Sequence, residues 1–93
     1  MNDYNKSYSD HCIEDGFIRT FKHDILQEEL VWHRDHMSRL VEVLAGDNWK
    51  IQYDNHLPMN IKSGDKFSIR ANDYHRLIRG DTPLKIKICD LIN

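Results

Sequence analysis

The sequence predicts an all-β domain folded as one closed or nearly closed sheet, and three observations carry that prediction. From Gly16 onward, short apolar runs of period two follow one another, each closed by Gly, Asn, Asp or Pro. The residues between the runs, as in "AGDNW" around Gly46, "KSGDK" around Gly64 and "RGDTP" around Gly80, tolerate the positive φ that tight hairpins demand. A chain of 93 residues, 40% hydrophobic and 30% charged, suits a single folded domain with one core.

Taken in order, residues 1–15 are polar and without period, which reads as an irregular N-terminal arm preceding a barrel domain over 16–93. The expected strands are Phe17 to Lys22, Glu29 to His33, Ser38 to Leu44, Trp49 to Asp54, Met59 to Ile61, Lys66 to Arg70, Tyr74 to Arg79 and Leu84 to Cys89. The stretch HDILQEEL, residues 23–30, has irregular apolar spacing and leaves open a turn or two of helix. No repeat, low-complexity tract or linker divides the strand region, so one sheet closing on itself is the economical architecture.

The charge balance narrows the function. A formal net charge of -2 provides no global positive field for a nucleic-acid backbone. Lys62, Lys66, Arg70, Arg76, Arg79, Lys85 and Lys87 make the C-terminal half locally basic, which reads as a solvated face that blunts sheet edges. No window of about 18 apolar residues and no signal-type apolar stretch occurs, so a cytoplasmic protein without a membrane partner is expected. Cys12 and Cys89 lie far apart without C-x-x-C spacing and are expected to be reduced thiols. Neither a nucleophile elbow, a phosphate-cradling loop nor an H-E-x-x-H helix is present.

The stretch "VWHRDH", residues 31–36, is the densest in chemistry. If extended, it places His33, Asp35, Met37, Arg39, Val41 and Val43 on one side, polar at one end and β-branched at the other. That is the profile of a barrel strand whose rim lines a wet pocket and whose depth fills the core. The opposite set, with His36, Leu40 and Leu44, is apolar enough that alternation alone leaves the inward face open. His56, in "DNHLP", reads as a surface loop histidine, and Trp32, Trp49, Tyr53, Phe67 and Tyr74 as core or interface aromatics. Gln52 on the next strand and Tyr74 beside His75 are candidates for the pocket wall.

Two stretches resemble the paired motifs of the cupins. His33-x-Asp35-x3-Arg39-x6-Gly46 is similar to the first motif, G-x5-H-x-H-x3,4-E-x6-G, and Gly64-x5-Arg70-x-Asn72-x2-His75 to the second, G-x5-P-x-G-x2-H-x3-N. Gln27 stands where the first motif begins with glycine, and Arg70, Asn72 and Arg79 replace the Pro, Gly and Asn of the second. The resemblance covers roughly residues 30–89, and "WHRD", "DNHLP" and "YHR" together look like a subgroup of short cupins from phage and bacterial genomes.

This resemblance implies a double-stranded β-helix, or jelly-roll barrel, with a divalent metal on His33, Asp35 and His75. Arg39 occupies the position of the family's glutamate, and a guanidinium offers a cation no lone pair. It is expected instead to orient an anionic substrate. Two imidazoles and a carboxylate favour Fe(II), with zinc, manganese or nickel chemically tolerable. The implied function is oxygenation or isomerisation of an anionic small molecule. Two alternatives stand beside it: a metal-free barrel binding a small acid or sugar, in which Asp35, Arg39 and the histidines form a polar cluster, and a non-catalytic phage or bacterial accessory protein. An edge strand or an aromatic face is where a homodimer would form.

Overall fold

Residues 8–91 of the chain are described, from a computed structural model. The strands are β1 (Tyr8–Ile13), β2 (Gly16–Phe21), β3 (Arg39–Ala45), β4 (Trp49–Tyr53), β5 (Met59–Ile61), β6 (Lys66–Ile69), β7 (His75–Ile78) and β8 (Leu84–Asp90). They form an antiparallel five-stranded sheet in the order β1-β2-β8-β3-β6 and a three-stranded sheet in the order β5-β4-β7. The chain enters and leaves each sheet repeatedly, so that β3 pairs with β8 and β4 with β7 across long sequence separations. This is a jelly-roll β-barrel, and no α-helix occurs among the described residues.

The period-two pattern decides what lies between the sheets. Val41 and Val43 of β3 are buried while Leu40 is 46% exposed, which settles the inward face of that strand. On β8, Leu84, Ile86 and Ile88 are buried and Lys85 faces water. Register then lines up core residues from neighbouring strands, with Phe17 opposite Ile88 and Ile88 opposite Val41. Trp49, Ile51 and Ile61 of the smaller sheet close the same core from the other side.

Trp49 is the anchor. It is fully buried, its ring lies 6.0 Å from that of Phe21, and its indole N–H donates to the Thr82 carbonyl at 2.6 Å. Gly80 lies against it so closely that an added Cβ would stand 2.4 Å from the Trp49 ring and 2.2 Å from the Asp47 carbonyl oxygen. The turn glycine of "RGDTP" is therefore there for close approach.

Two sequence expectations change. The second half of the expected arm, Tyr8–Ile13, is a strand, fully paired with β2. It lacks a hydrophobic period because it is an edge strand with four of its six residues exposed. Its docking relies on side-chain pairs instead: the Arg19 guanidinium makes a bidentate contact with Asp10 at 2.8 and 3.0 Å and stacks on the Tyr8 ring at 3.7 Å. Residues 1–7 of the expected arm lie outside the described residues.

The expected strand Glu29 to His33 is absent. A 3-10 turn, Gln27–Glu29, stands there, followed by a single bridge between His33 and His75. The physical reason lies in Gln27, whose side chain donates to the Leu77 carbonyl at 3.0 Å and accepts from the Arg79 N–H at 2.8 Å. It satisfies a carbonyl of β7 and an N–H just past its end that a neighbouring strand would have bonded, and Ile25 and Leu30 bury on either side of the turn.

Candidate metal centre

The second crossing of the chain against β7 builds the site. His33 and His75 exchange backbone hydrogen bonds, N–H to carbonyl, at 3.0 and 2.9 Å, which brings their rings to 4.3 Å between centroids. Asp35 follows two residues later, and its carbonyl accepts the Asn72 N–H at 2.7 Å. Asn72 sits in the left-handed region, φ 68°, at the position where the resemblance places glycine. The left-handed turn thus fixes the Asp35 backbone beside His75. Asn72→Gly is expected to be tolerated, whereas Asn72→Val should lower stability by about 1–2 kcal/mol. Thermal unfolding of the two variants side by side checks this.

The ligand-capable atoms of His33, Asp35 and His75 all lie within 4.8 Å of one another. In each histidine Nδ1 faces a backbone carbonyl, Val31 at 3.1 Å for His33 and Asp73 at 2.8 Å for His75. A carbonyl only accepts, so each Nδ1 carries the hydrogen, and the neutral ring presents a lone pair on Nε2. The Nε2 of His75 lies 3.4 Å from Asp35 Oδ2, and that oxygen is buried without a hydrogen-bond partner among the described residues. A lone pair and a carboxylate oxygen held face to face lack something between them that accepts electron pairs. The donor set therefore fits a divalent cation, with each histidine oriented by a hydrogen bond from its outer nitrogen.

Burial lowers the pKa of His75 below its ordinary 6.5, outweighing the Asp73 carbonyl and Asp35, which raise it; His33 and Arg39 lower it further. His75 is thus neutral and ligand-competent at neutral pH. For the protein without metal the sign follows from linkage. Below pH 6.5 the unfolded chain takes up a proton that the folded chain does not, so stability decreases as pH drops below 6.5 and levels off once the lowered folded value is passed.

Arg39 enters the same cavity but is largely committed. Its Nε donates to Asp90 at 2.9 Å and its Nη1 lies 3.7 Å from Asp35 Oδ1, leaving Nη2 with capacity for a ligand. It therefore holds one oxygen of Asp35 while the other faces the histidines. The remaining candidates lie elsewhere. Gln52 alternates away from the buried Ile51, accepting from Arg76 Nε and donating to the His56 carbonyl, and Tyr74 is 45% exposed under the Arg34 guanidinium. Neither lines the cavity. A one-residue parity step explains both, since strand neighbours of inward residues face outward. His36, the rival of Asp35, is exposed and outside the cluster, as is His56. Cys12 and Cys89 are both free thiols.

The cavity above the centre has a volume of about 290 Å³. Besides His33, Asp35, Arg39 and His75, its polar lining comprises Tyr8, Arg19 and Glu29, which sequence reasoning missed. Arg19 was findable, because it shares the inward parity of Phe17 and Phe21 in "GFIRTF". Tyr8 and Glu29 carried no comparable signal, one lying in the edge strand and the other next to an irregular turn.

No protein-family model matches the sequence, and no curated protein matches it. Solved structures do. The chain is similar to the DMSP lyase DddQ from Ruegeria pomeroyi DSS-3, with a TM-score of 0.78 at 14% identity over 98% of this chain. It spans about half the length of that protein, 50%. A cupin superfamily protein from Desulfitobacterium hafniense DCB-2 matches with a TM-score of 0.67 at 16% identity, over 92% of this chain and 76% of the other. KdgF from Halomonas sp. matches with a TM-score of 0.68 at 12% identity, over 99% and 87%. At these identities the likeness is one of fold, and the fold is that of a small cupin domain.

Proposed function

We propose that this cupin domain holds a divalent cation on His33, Asp35 and His75 and uses it on a small anionic molecule admitted to the cavity. The observation that supports this most is the buried, unpartnered Asp35 Oδ2 facing an imidazole whose other nitrogen is tied to a carbonyl. An ion on these three residues, with iron(II) the leading candidate, would supply Lewis acidity and open coordination positions suited to oxygenation or isomerisation. The chain's own part is to orient. The Asp73 and Val31 carbonyls fix the two rings, Asp90 fixes Arg39, and Arg39 faces the Asp35 carboxylate as an ion pair at 3.7 Å. That an enzyme, a DMSP lyase, shares the fold supports a catalytic use of the cavity.

The contact between Arg39 and Asp35 supports a second reading, in which the centre is a metal-free polar cluster in a binding barrel. Asp35→Asn separates the two. Elemental analysis and a Mn(II) titration followed by electron paramagnetic resonance are expected to give about one ion per chain for the parent protein and none for the variant. A parent protein that takes up no ion after anaerobic reconstitution would sink the metal reading in favour of the cluster.

A further inference from the structure

We infer that the ligand handled at this centre is a monocarboxylate with a compact hydrocarbon body, and not a sugar, polyol or phosphate ester. The inference rests on the proposed metal for its head group and on the cavity walls for the rest. Apart from the proposed ligands, Arg39 and the polar Tyr8, Arg19 and Glu29, the lining is apolar and includes Val41, Ile51, Ile61, Ile69, Leu77 and Ile88, of which all but Leu77 are buried. A hydroxyl placed against such an apolar wall loses its water without gaining a partner. A sugar carries several hydroxyls, and each guanidinium of the cavity has only one nitrogen left for them, Arg19 after its two bonds to Asp10 and Arg39 after Asp90 and Asp35.

Charge restricts the head group further. Asp10, Glu29, Asp35 and Asp90 stand in or beside the cavity against Arg19 and Arg39. A divalent ion brings this set to neutrality, so one carboxylate binds through the ion and a second negative charge meets repulsion. Volume sets the body. A dry cavity of about 150 Å³ accepts benzene, so about 290 Å³ admits a ligand of up to roughly ten non-hydrogen atoms, head group included.

The test is calorimetric titration of the Mn(II)-loaded full chain with straight-chain carboxylates from acetate to octanoate, with succinate and gluconate as comparisons. Affinity is expected to rise about four-fold per methylene until the cavity is full and then level off. Succinate and gluconate should bind at least tenfold more weakly than hexanoate. Leu77→Phe, which fills part of the cavity, should move the break to a shorter chain. A flat series on metal-loaded protein, or gluconate binding as well as hexanoate, overturns the inference and leaves the metal reading standing. The same rising series on protein that binds no Mn(II) upholds the hydrocarbon site and removes the metal reading.

Discussion

His75→Ala is expected to reduce the affinity of the chain for a divalent cation by more than about 100-fold while the barrel stays folded. Removing an outer partner of a metal ligand typically costs about 10–100-fold, and loss of the ligand itself costs more. The effect should be large here because His75 is the buried member of the trio, 4% exposed, and the one whose Nε2 approaches Asp35 Oδ2. His33→Ala is expected to act in the same direction but less, since His33 is exposed and leaves room for water to replace its nitrogen. Circular dichroism of both variants separates ligand loss from misfolding. The pH dependence carries a sign as well. Metal binding requires a neutral Nε2, and burial lowers the His75 pKa, so the site should retain its ion below pH 6.5 and release it only as acid overtakes the lowered value. Release centred above pH 6.5 would contradict the assignment of His75 as a ligand.

Trp49→Ala is expected to be the most destabilising single substitution outside the centre. Truncating a fully buried tryptophan typically costs about 3–5 kcal/mol through lost transfer energy and the cavity left behind. At Trp49 the indole N–H bond to the Thr82 carbonyl and the contact with Gly80 are lost with it. A domain of this size commonly has about 5–15 kcal/mol in total, so the variant should be marginal at 25 °C. Trp32→Ala is the control. Trp32 is 41% exposed and gives up little beyond the Arg76 guanidinium stacked at 4.8 Å, so its change should stay within about 1 kcal/mol. Urea unfolding followed by circular dichroism measures both, and equal midpoints for the two variants would refute the anchoring role of Trp49.

Local pattern made much of the fold legible. β2 to β8 all fall on apolar runs closed by turn residues, because a strand with one face in the core has to alternate. Where a segment escapes that constraint, the pattern disappears. β1 is an exposed edge held by an Arg19–Asp10 pair, and the stretch before His33 is held by one glutamine side chain, so neither leaves a periodic trace. The site shows the same division. His33 and Asp35 share a parity, which is readable, but their meeting with His75 depends on a bridge between residues 42 positions apart in sequence. Gln52 and Tyr74 show the limit of adjacency, since each lies beside an inward residue and therefore points out.

An all-β domain, its turns, most of its strands and a short list of ligand-capable side chains can be read along the chain, because these depend on periods and residue types within a few positions. The inward turn of Val41 and Val43, the bond from Arg39 to Asp90, the burial of Asp35 Oδ2 without a partner among the described residues, and the place of Arg19 in the cavity wall emerge only in three dimensions. Those properties arise from strands that pair across long stretches of chain. Register and burial are set by the whole barrel at once, and no local window of residues contains them.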